Sequence, residues 1–297
     1  MKKFDLHIHA WNTVPDPERL LAQMERAGVY GGCVFSNRPK KLEPVKGTSF
    51  DERLAEVLAW SDGYSERLFP VVWIHPYEDG IIEHIHEAVE RGAAAFKIIC
   101  NDFYVCEDRS MEVLSEIAKC GKAVIFHSGI LWDGEASSKY NRPLYWEPLV
   151  NIKGLRFSMG HCSWPWHDEC IALYGKFLNA LTVKSDCAEM FFDITAGTPS
   201  IYREELLRKL FTVGYDVPDN LMFGTDGSAN DYDSDWVSGW LELDGKIMDG
   251  LDIPDEIRVK MYGENLMRFL GRKEKDFVHI SPVCDRMRSW YPGMSRK

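Results

Sequence analysis

Four histidines and one aspartate stand where short apolar runs end. Phe4-Asp5-Leu6-His7-Ile8-His9 ends in two of the histidines. Val124-Ile125-Phe126-His127, Met159-Gly160-His161 and Phe223-Gly224-Thr225-Asp226 carry the others. A single histidine at the end of an apolar run is ordinarily a hydrogen-bonded structural residue. Five such groups in series are more than core packing needs. His7 and His9 are two apart, so in a strand they point to one face, and Asp5 shares that face one layer lower. Two imidazoles at this spacing can hold one cation. His127 and Asp226 can close a mixed nitrogen and oxygen set, which suits Zn²⁺ first and Mn²⁺ or Fe²⁺ as alternatives. A bound cation lowers the pKa of its water from ~15.7 towards ~7. A neighbouring carboxylate can then take the proton.

These residues need elements to carry them. Runs rich in apolar and β-branched residues at 4–9, 30–35, 69–74, 93–99, 123–127, 155–161, 190–194 and 221–224 read as strands. Stretches of helical period lie between them, at 17–27, 50–65, 80–91, 110–119, 166–180, 202–213 and 236–249. Residues 142–152 form a weaker helical pattern. The strands read as nearly continuous apolar runs, as in a parallel sheet buried on both faces. Eight βα units predict an α/β fold, a (β/α)₈ TIM barrel, rather than an open doubly wound sheet. The first strand is not followed by the glycine-rich turn of a dinucleotide fold. A further helix at 255–269 closes the barrel, so the barrel domain is expected over 1–271 and a tail or arm over 272–297. Such an arm packs on the body or on a partner subunit, which leaves a homodimer open. In a barrel of this kind the C-terminal strand ends carry the chemistry, and the five residues above all fall there.

At 297 residues the chain is long enough for one barrel, which typically takes ~250 residues. The net charge of −11 repels phosphate backbones and anionic membranes. Nucleic acid and membrane are therefore not expected as partners, and a small molecule is the expected substrate. No apolar run approaches the ~18 residues that span a bilayer. Lys2 and Lys3 are not followed by an apolar signal segment. The expected location is the cytoplasm. The eight cysteines agree, since several sit inside apolar runs and no Cys-x-x-Cys pair is present.

Other residues carry weaker signals. Trp11, Trp73, Trp132, Trp164 and Trp166 fall at or after strand ends. They serve either loop packing or an aromatic-walled substrate pocket. Arg38, Lys40, Lys41 and Arg142 could clamp an acid, although loop cations are ordinarily just solvated. Asp231-Tyr232-Asp233-Ser234-Asp235 imitates a calcium loop but has Trp236 where glycine is needed, so it reads as a solvated acidic loop. His75 reads as structural, and His84 and His86 do not share a helix face.

The series of strand-end motifs resembles the amidohydrolase superfamily. It is most similar to the branch that includes amino-carboxymuconate-semialdehyde decarboxylase, resorcylate decarboxylases and lactone hydrolases. The resemblance rests on Asp5-Leu6-His7-Ile8-His9, Phe126-His127-Ser128-Gly129, Gly160-His161, Gly224-Thr225-Asp226 and Tyr262-Gly263-Glu264-Asn265-Leu266. It implies that His7, His9 and His127 are metal ligands and that Asp226 is a ligand or the general base. It implies that His161 lies beside the metal and polarises the substrate or assists proton transfer. No organic cofactor is called for. In two-metal members a lysine at the end of the fourth strand is carboxylated and bridges the ions; Lys97 stands there, and could instead be a neutral, salt-bridged or substrate-ordering lysine. The implied reaction is hydrolysis of a C–O or C–N bond, of lactone or amide type. A non-oxidative decarboxylation on the same ligands is its close rival. A TatD-like nuclease shares the order of ligands, but that family carries a glutamate where this chain has Lys97. A binding protein that has lost activity would leave buried polar groups without purpose.

Overall fold

The computed structural model describes residues 1–11, 14–184 and 186–272. Its strands are β1 (Phe4–His9), β2 (Gly31–Phe35), β3 (Leu68–Trp73), β4 (Ala95–Ile98), β5 (Ala123–Phe126), β6 (Arg156–Met159), β7 (Glu189–Asp193), β8 (Leu221–Met222) and β9 (Gly227–Ser228). Each pairs in parallel with its neighbour in sequence from β1 to β8, and β9 returns to β1. β8 and β9 are two pieces of one last strand, parted at residues 223–226. Leu6 N donates to the Phe223 carbonyl at 3.0 Å and Ala229 N to the His9 carbonyl at 2.8 Å, so the seam is hydrogen-bonded. The predicted eight-unit barrel is therefore present. Its last strand is interrupted because Asp226 takes a left-handed φ of 62°, which a regular strand ladder does not accommodate.

The outer helices are α1 (Pro17–Arg26), α2 (Phe50–Ser61), α3 (Ile81–Glu90), α4 (Asp108–Lys119), α5 (His167–Val183), α6 (Arg203–Thr212) and α7 (Ser234–Gly250). Their starts follow from local chemistry. Asp16 accepts from Arg19 N ahead of Pro17, and Ser49 and Glu52 form a reciprocal capping box. In α3 the buried residues Ile81, Ile85 and Ala88 recur at helical spacing and face the sheet. The weak helix expected near 142–152 is a 3-10 turn, Pro143–Asn151, because Pro148 within it has no N–H to donate. The closing helix is also not uniform. α8 (Asp255–Val259) passes through a π turn, Lys260–Glu264, into α9 (Asn265–Phe269).

Two packing layers result. Outward-facing Phe96, Phe126, Phe157 and Phe192 pack against the helices. Inward-facing Phe35, Val71, Ile125 and Phe191 fill the barrel, and Leu266, Phe269 and Leu270 join them as a plug. With one end plugged by apolar side chains, the polar residues of the strand ends are left to the other. The arm expected from residue 272 lies outside the described residues except for Arg272, which donates to the Ser65 carbonyl at 2.9 Å. Among the described residues, no helix is long and apolar enough to cross a membrane, and seven cysteines are free.

Candidate functional site

The pleat of β1 puts Asp5, His7 and His9 on the inner face, and all three are buried. The interrupted last strand brings Asp226 to them. Asp226 Oδ1 lies 3.1 Å from His9 Nε2 and 3.4 Å from His7 Nε2. The ligand atoms of His7, His9 and Asp226 all lie within 4.8 Å of one another. For ligand bonds of about 2.1 Å, two corners of a tetrahedron stand about 3.4 Å apart. The three donors thus fit a divalent cation in both type and spacing.

Electrostatics favours the ligand states. Burial, reinforced by the Lys97 ammonium, pushes His7 down to about 3. Burial also lowers His9, and holds His127 well below the ordinary imidazole range. All three are therefore neutral at physiological pH and carry a lone pair. Burial acts to raise Asp226, but the His9 hydrogen bond and the His7 and His161 rings outweigh it and hold the carboxyl well below the usual range. Its side chain is 37% exposed.

Asp193, at the end of β7, is a site residue that sequence reasoning missed. It is fully buried, and its Oδ2 lies 2.8 Å from His7 Nδ1. Its Oδ1 accepts from Thr195 N at 2.8 Å and from the Thr195 hydroxyl. Burial would raise this carboxyl, yet His7 and its hydrogen bond hold it below the ordinary value. The carboxylate therefore keeps the His7 proton on Nδ1 and turns Nε2 to the cation position. A signal was present: one acid ending Met190-Phe191-Phe192-Asp193. Asp193→Asn is expected to weaken zinc affinity about 10- to 100-fold, read by titration against a competing chelator.

Asp5 locks the other side. It accepts from His7 N at 2.9 Å, Thr225 N at 3.0 Å, the Thr225 hydroxyl at 2.5 Å and the Tyr232 hydroxyl at 2.9 Å. Burial pushes its carboxyl up to about 7 against those four bonds. The turn that presents Asp226 is thus tied to β1. Glycine is required at two close approaches: a Cβ at Gly224 would stand 2.3 Å from the Thr195 hydroxyl, and one at Gly197 2.2 Å from His161 Nδ1.

The remaining expected residues share one cavity of about 620 Å³ with this group: Lys97, His127, His161, Trp11, Trp73, Trp132 and Trp164. His161 is not at the end of a strand. β6 stops at Met159, and His161, Cys162 and Ser163 follow with φ of 56°, 43° and 59°. Its Nδ1 lies 3.4 Å from the Thr195 carbonyl. His127 stands beside it, with ring centroids 5.1 Å apart, outside the three-residue group, and its Nε2 is held by the Ile130 carbonyl at 3.1 Å. Lys97 is buried with Nζ 3.3 Å from His7 Nε2, and burial lowers it to about 8 against the pull of Asp193 and Asp226.

Arg38 lines the cavity, whereas Lys40, Lys41, Arg142 and Trp166 do not. The acidic loop has a structural use: Asp233 accepts from Asp235 N and Trp236 N and caps α7. His75 is structural as expected, bonded to Asp102 at 3.1 Å and to Tyr77 N at 3.2 Å.

His7 makes stability depend on pH. An unfolded chain protonates this imidazole below its ordinary 6.5, while the folded protein resists until about 3. Its contribution is complete above 6.5 and is lost as pH falls from 6.5 towards 3. In chelator-treated protein, the melting temperature of wild type relative to His7→Asn is expected to fall across that window and to stay constant above it.

A family model described as amidohydrolase matches residues 4–272. Among solved structures, the chain is similar to a probable 2-pyrone-4,6-dicarboxylic acid hydrolase from Acinetobacter baumannii, at TM-score 0.61 and 12% identity, covering 91% of this chain and 100% of that one. It is similar to 2,6-dihydroxybenzoate decarboxylase from Rhizobium, at TM-score 0.61 and 12% identity, with 91% and 99% covered. It is also similar to dihydroorotase from Campylobacter jejuni, at TM-score 0.57 and 12% identity, with 93% and 85% covered. No curated protein matches it in sequence. Identities this low carry the fold and not the reaction.

Proposed function

Because the chain belongs to the amidohydrolase family, we propose that it is a divalent-metal-dependent hydrolase of a C–O or C–N bond, of lactone or amide type. The observation that carries this reading is the His7, His9 and Asp226 group, with its carboxylate reaching into the cavity. When bound there, the cation supplies Lewis-acid polarisation and a water of lowered pKa.

The chain's own residues supply the rest. His7 and His9 offer neutral nitrogen, with His7 aimed by Asp193. Asp226, held ionised, is positioned to accept a proton from water. His161 is anchored through Nδ1 at the Thr195 carbonyl, which leaves the Nε2 lone pair to take up the proton that Asp226 accepts from water and hand it to the leaving group. His127 keeps its proton on Nε2 towards Ile130, so Nδ1 is the lone pair with which it would join the ligands. Lys97 competes for the same place, since an ammonium and a metal cation cannot share the His7 Nε2 lone pair. Its lowered pKa reduces the cost of giving up its proton.

Elemental analysis after growth with added Zn²⁺ or Mn²⁺ tests the reading. About one ion per chain is expected in wild type, lost in His7→Ala and kept in Lys97→Ala. A content near two, with loss in Lys97→Ala, would instead make Lys97 a bridging ligand. No metal in any preparation would overturn the proposal. A screen of lactones and amides beside carboxylated aromatics then separates hydrolysis from decarboxylation.

A further inference from the structure

The cavity has two ends of different character. Lys97 and the imidazoles form its floor. At its mouth Trp132 is 78% exposed and stacks on Trp164, with centroids 6.2 Å apart and planes at 19°. The same loop brings Asp133 and Glu135 to the cavity wall. Asp133 Oδ1 accepts from Glu135 N at 3.0 Å and from the Ser137 hydroxyl at 2.8 Å, which fixes the loop. Neither carboxylate has an ion-pair partner among the described residues. Of the two Lys and Arg side chains that line the cavity among those residues, Lys97 lies at the floor beside His7, and Arg38 is committed: it pairs with Glu43 and lies over the Trp11 ring at 4.7 Å. The mouth therefore has two uncompensated negative charges in the same wall as the exposed Trp132 indole. An indole face carries the negative part of its quadrupole, so both features attract cations. Both disfavour a carboxylate, which would meet like charge with no free guanidinium to receive it.

A second observation concerns the part of the ligand between mouth and floor. Trp73 lines the cavity and is 3% exposed, and its ring centroid is 5.7 Å from that of His9. Its indole N–H has no hydrogen-bond partner. That nitrogen is itself occluded, so Trp73 offers the cavity apolar ring surface rather than a donor.

We infer that the mouth is a subsite for an organic cation, so that the substrate is an ester or amide with an amine or quaternary ammonium group at its non-reacting end. This rests on the hydrolase reading for the reacting end only. The neutral carbonyl lies towards the metal ligands, the linking part passes the Trp73 ring, and the ammonium group lies against Trp132, Trp164 and Glu135. This substrate class differs in charge from the carboxylates named for two of the similar structures.

Isothermal titration calorimetry with phenyltrimethylammonium and with benzoate tests the subsite without any turnover. Wild type is expected to bind the cation at least about tenfold more tightly than benzoate. Trp132→Ala is expected to weaken cation binding roughly three- to thirtyfold, and Glu135→Gln to weaken it by about threefold or more. Both side chains are exposed, so circular dichroism and metal content should match wild type. Benzoate binding as tightly as the cation, no cation binding at millimolar concentration, or cation affinity unchanged in both variants would overturn the inference. Metal content, measured on the same samples, reports on the hydrolase reading separately.

Discussion

Asp226→Asn is expected, on the proposed hydrolase reading, to lower turnover of a lactone or amide substrate by about 10²–10⁴-fold. The substitution keeps the shape of the side chain and removes its charge and its capacity to take a proton. Oδ1 is also the atom shared between His7 Nε2 at 3.4 Å and His9 Nε2 at 3.1 Å. Metal content should therefore fall as well, and the two losses can be separated. If activity stays low in an assay saturated with Zn²⁺, the carboxylate acts in proton transfer beyond holding the ion. If saturation restores it, Asp226 is a ligand alone. Turnover within about threefold of wild type would remove Asp226 from the site altogether.

The largest effect on stability is expected from Arg203→Met. Arg203 is buried and forms two hydrogen bonds to fully buried Asp244, Nε to Oδ1 and a terminal nitrogen to Oδ2, each at 2.7 Å. Removing the cation strands the Asp244 charge, which typically costs about 3–5 kcal/mol. The effect should reach the site, because Arg203 also donates to the Ile194 carbonyl. That residue lies between Asp193, which aims His7, and Thr195, which anchors both Asp193 and His161. Urea unfolding should show the loss, and zinc affinity should fall with it. The double variant Arg203→Met with Asp244→Leu removes both charges and is expected to recover much of the stability but not the zinc affinity. A double variant no more stable than the single one would show that the arginine acts through packing rather than charge.

The sites differ in how legible they were. His7 and His9 could be read because strand parity is a local rule: residues two apart share a face wherever the strand goes. Asp193 carries no local signal beyond being one acid in an apolar strand, and only the barrel shows that β7 delivers it to His7 Nδ1. The apolar run before His161 predicts a strand end there, but the strand stops earlier and three left-handed residues carry the ring round to Thr195. Such a turn depends on the room left by Gly197, a contact 36 residues away in the chain that periodicity does not encode. The charge of the cavity mouth was hidden for the same reason, since Arg38 and Glu43 come from one loop and Asp133 and Glu135 from another.

What the sequence determined by itself was the alternation of buried strands with amphipathic helices, hence the barrel, and the imidazole and carboxylate donor types that follow its apolar runs. Both follow from local patterns, with side-chain period dictating which face is buried and residue type dictating which atoms can bind a cation. The tertiary structure alone decided which of those groups converge. It brought Asp226 to the β1 histidines through the break in the last strand, and it turned His127 Nε2 to the Ile130 carbonyl, leaving Nδ1 as that ring's free lone pair. Separations of a few ångströms between residues more than 200 positions apart are set by strand register and closure of the barrel, which the chain acquires only when the whole sheet has formed.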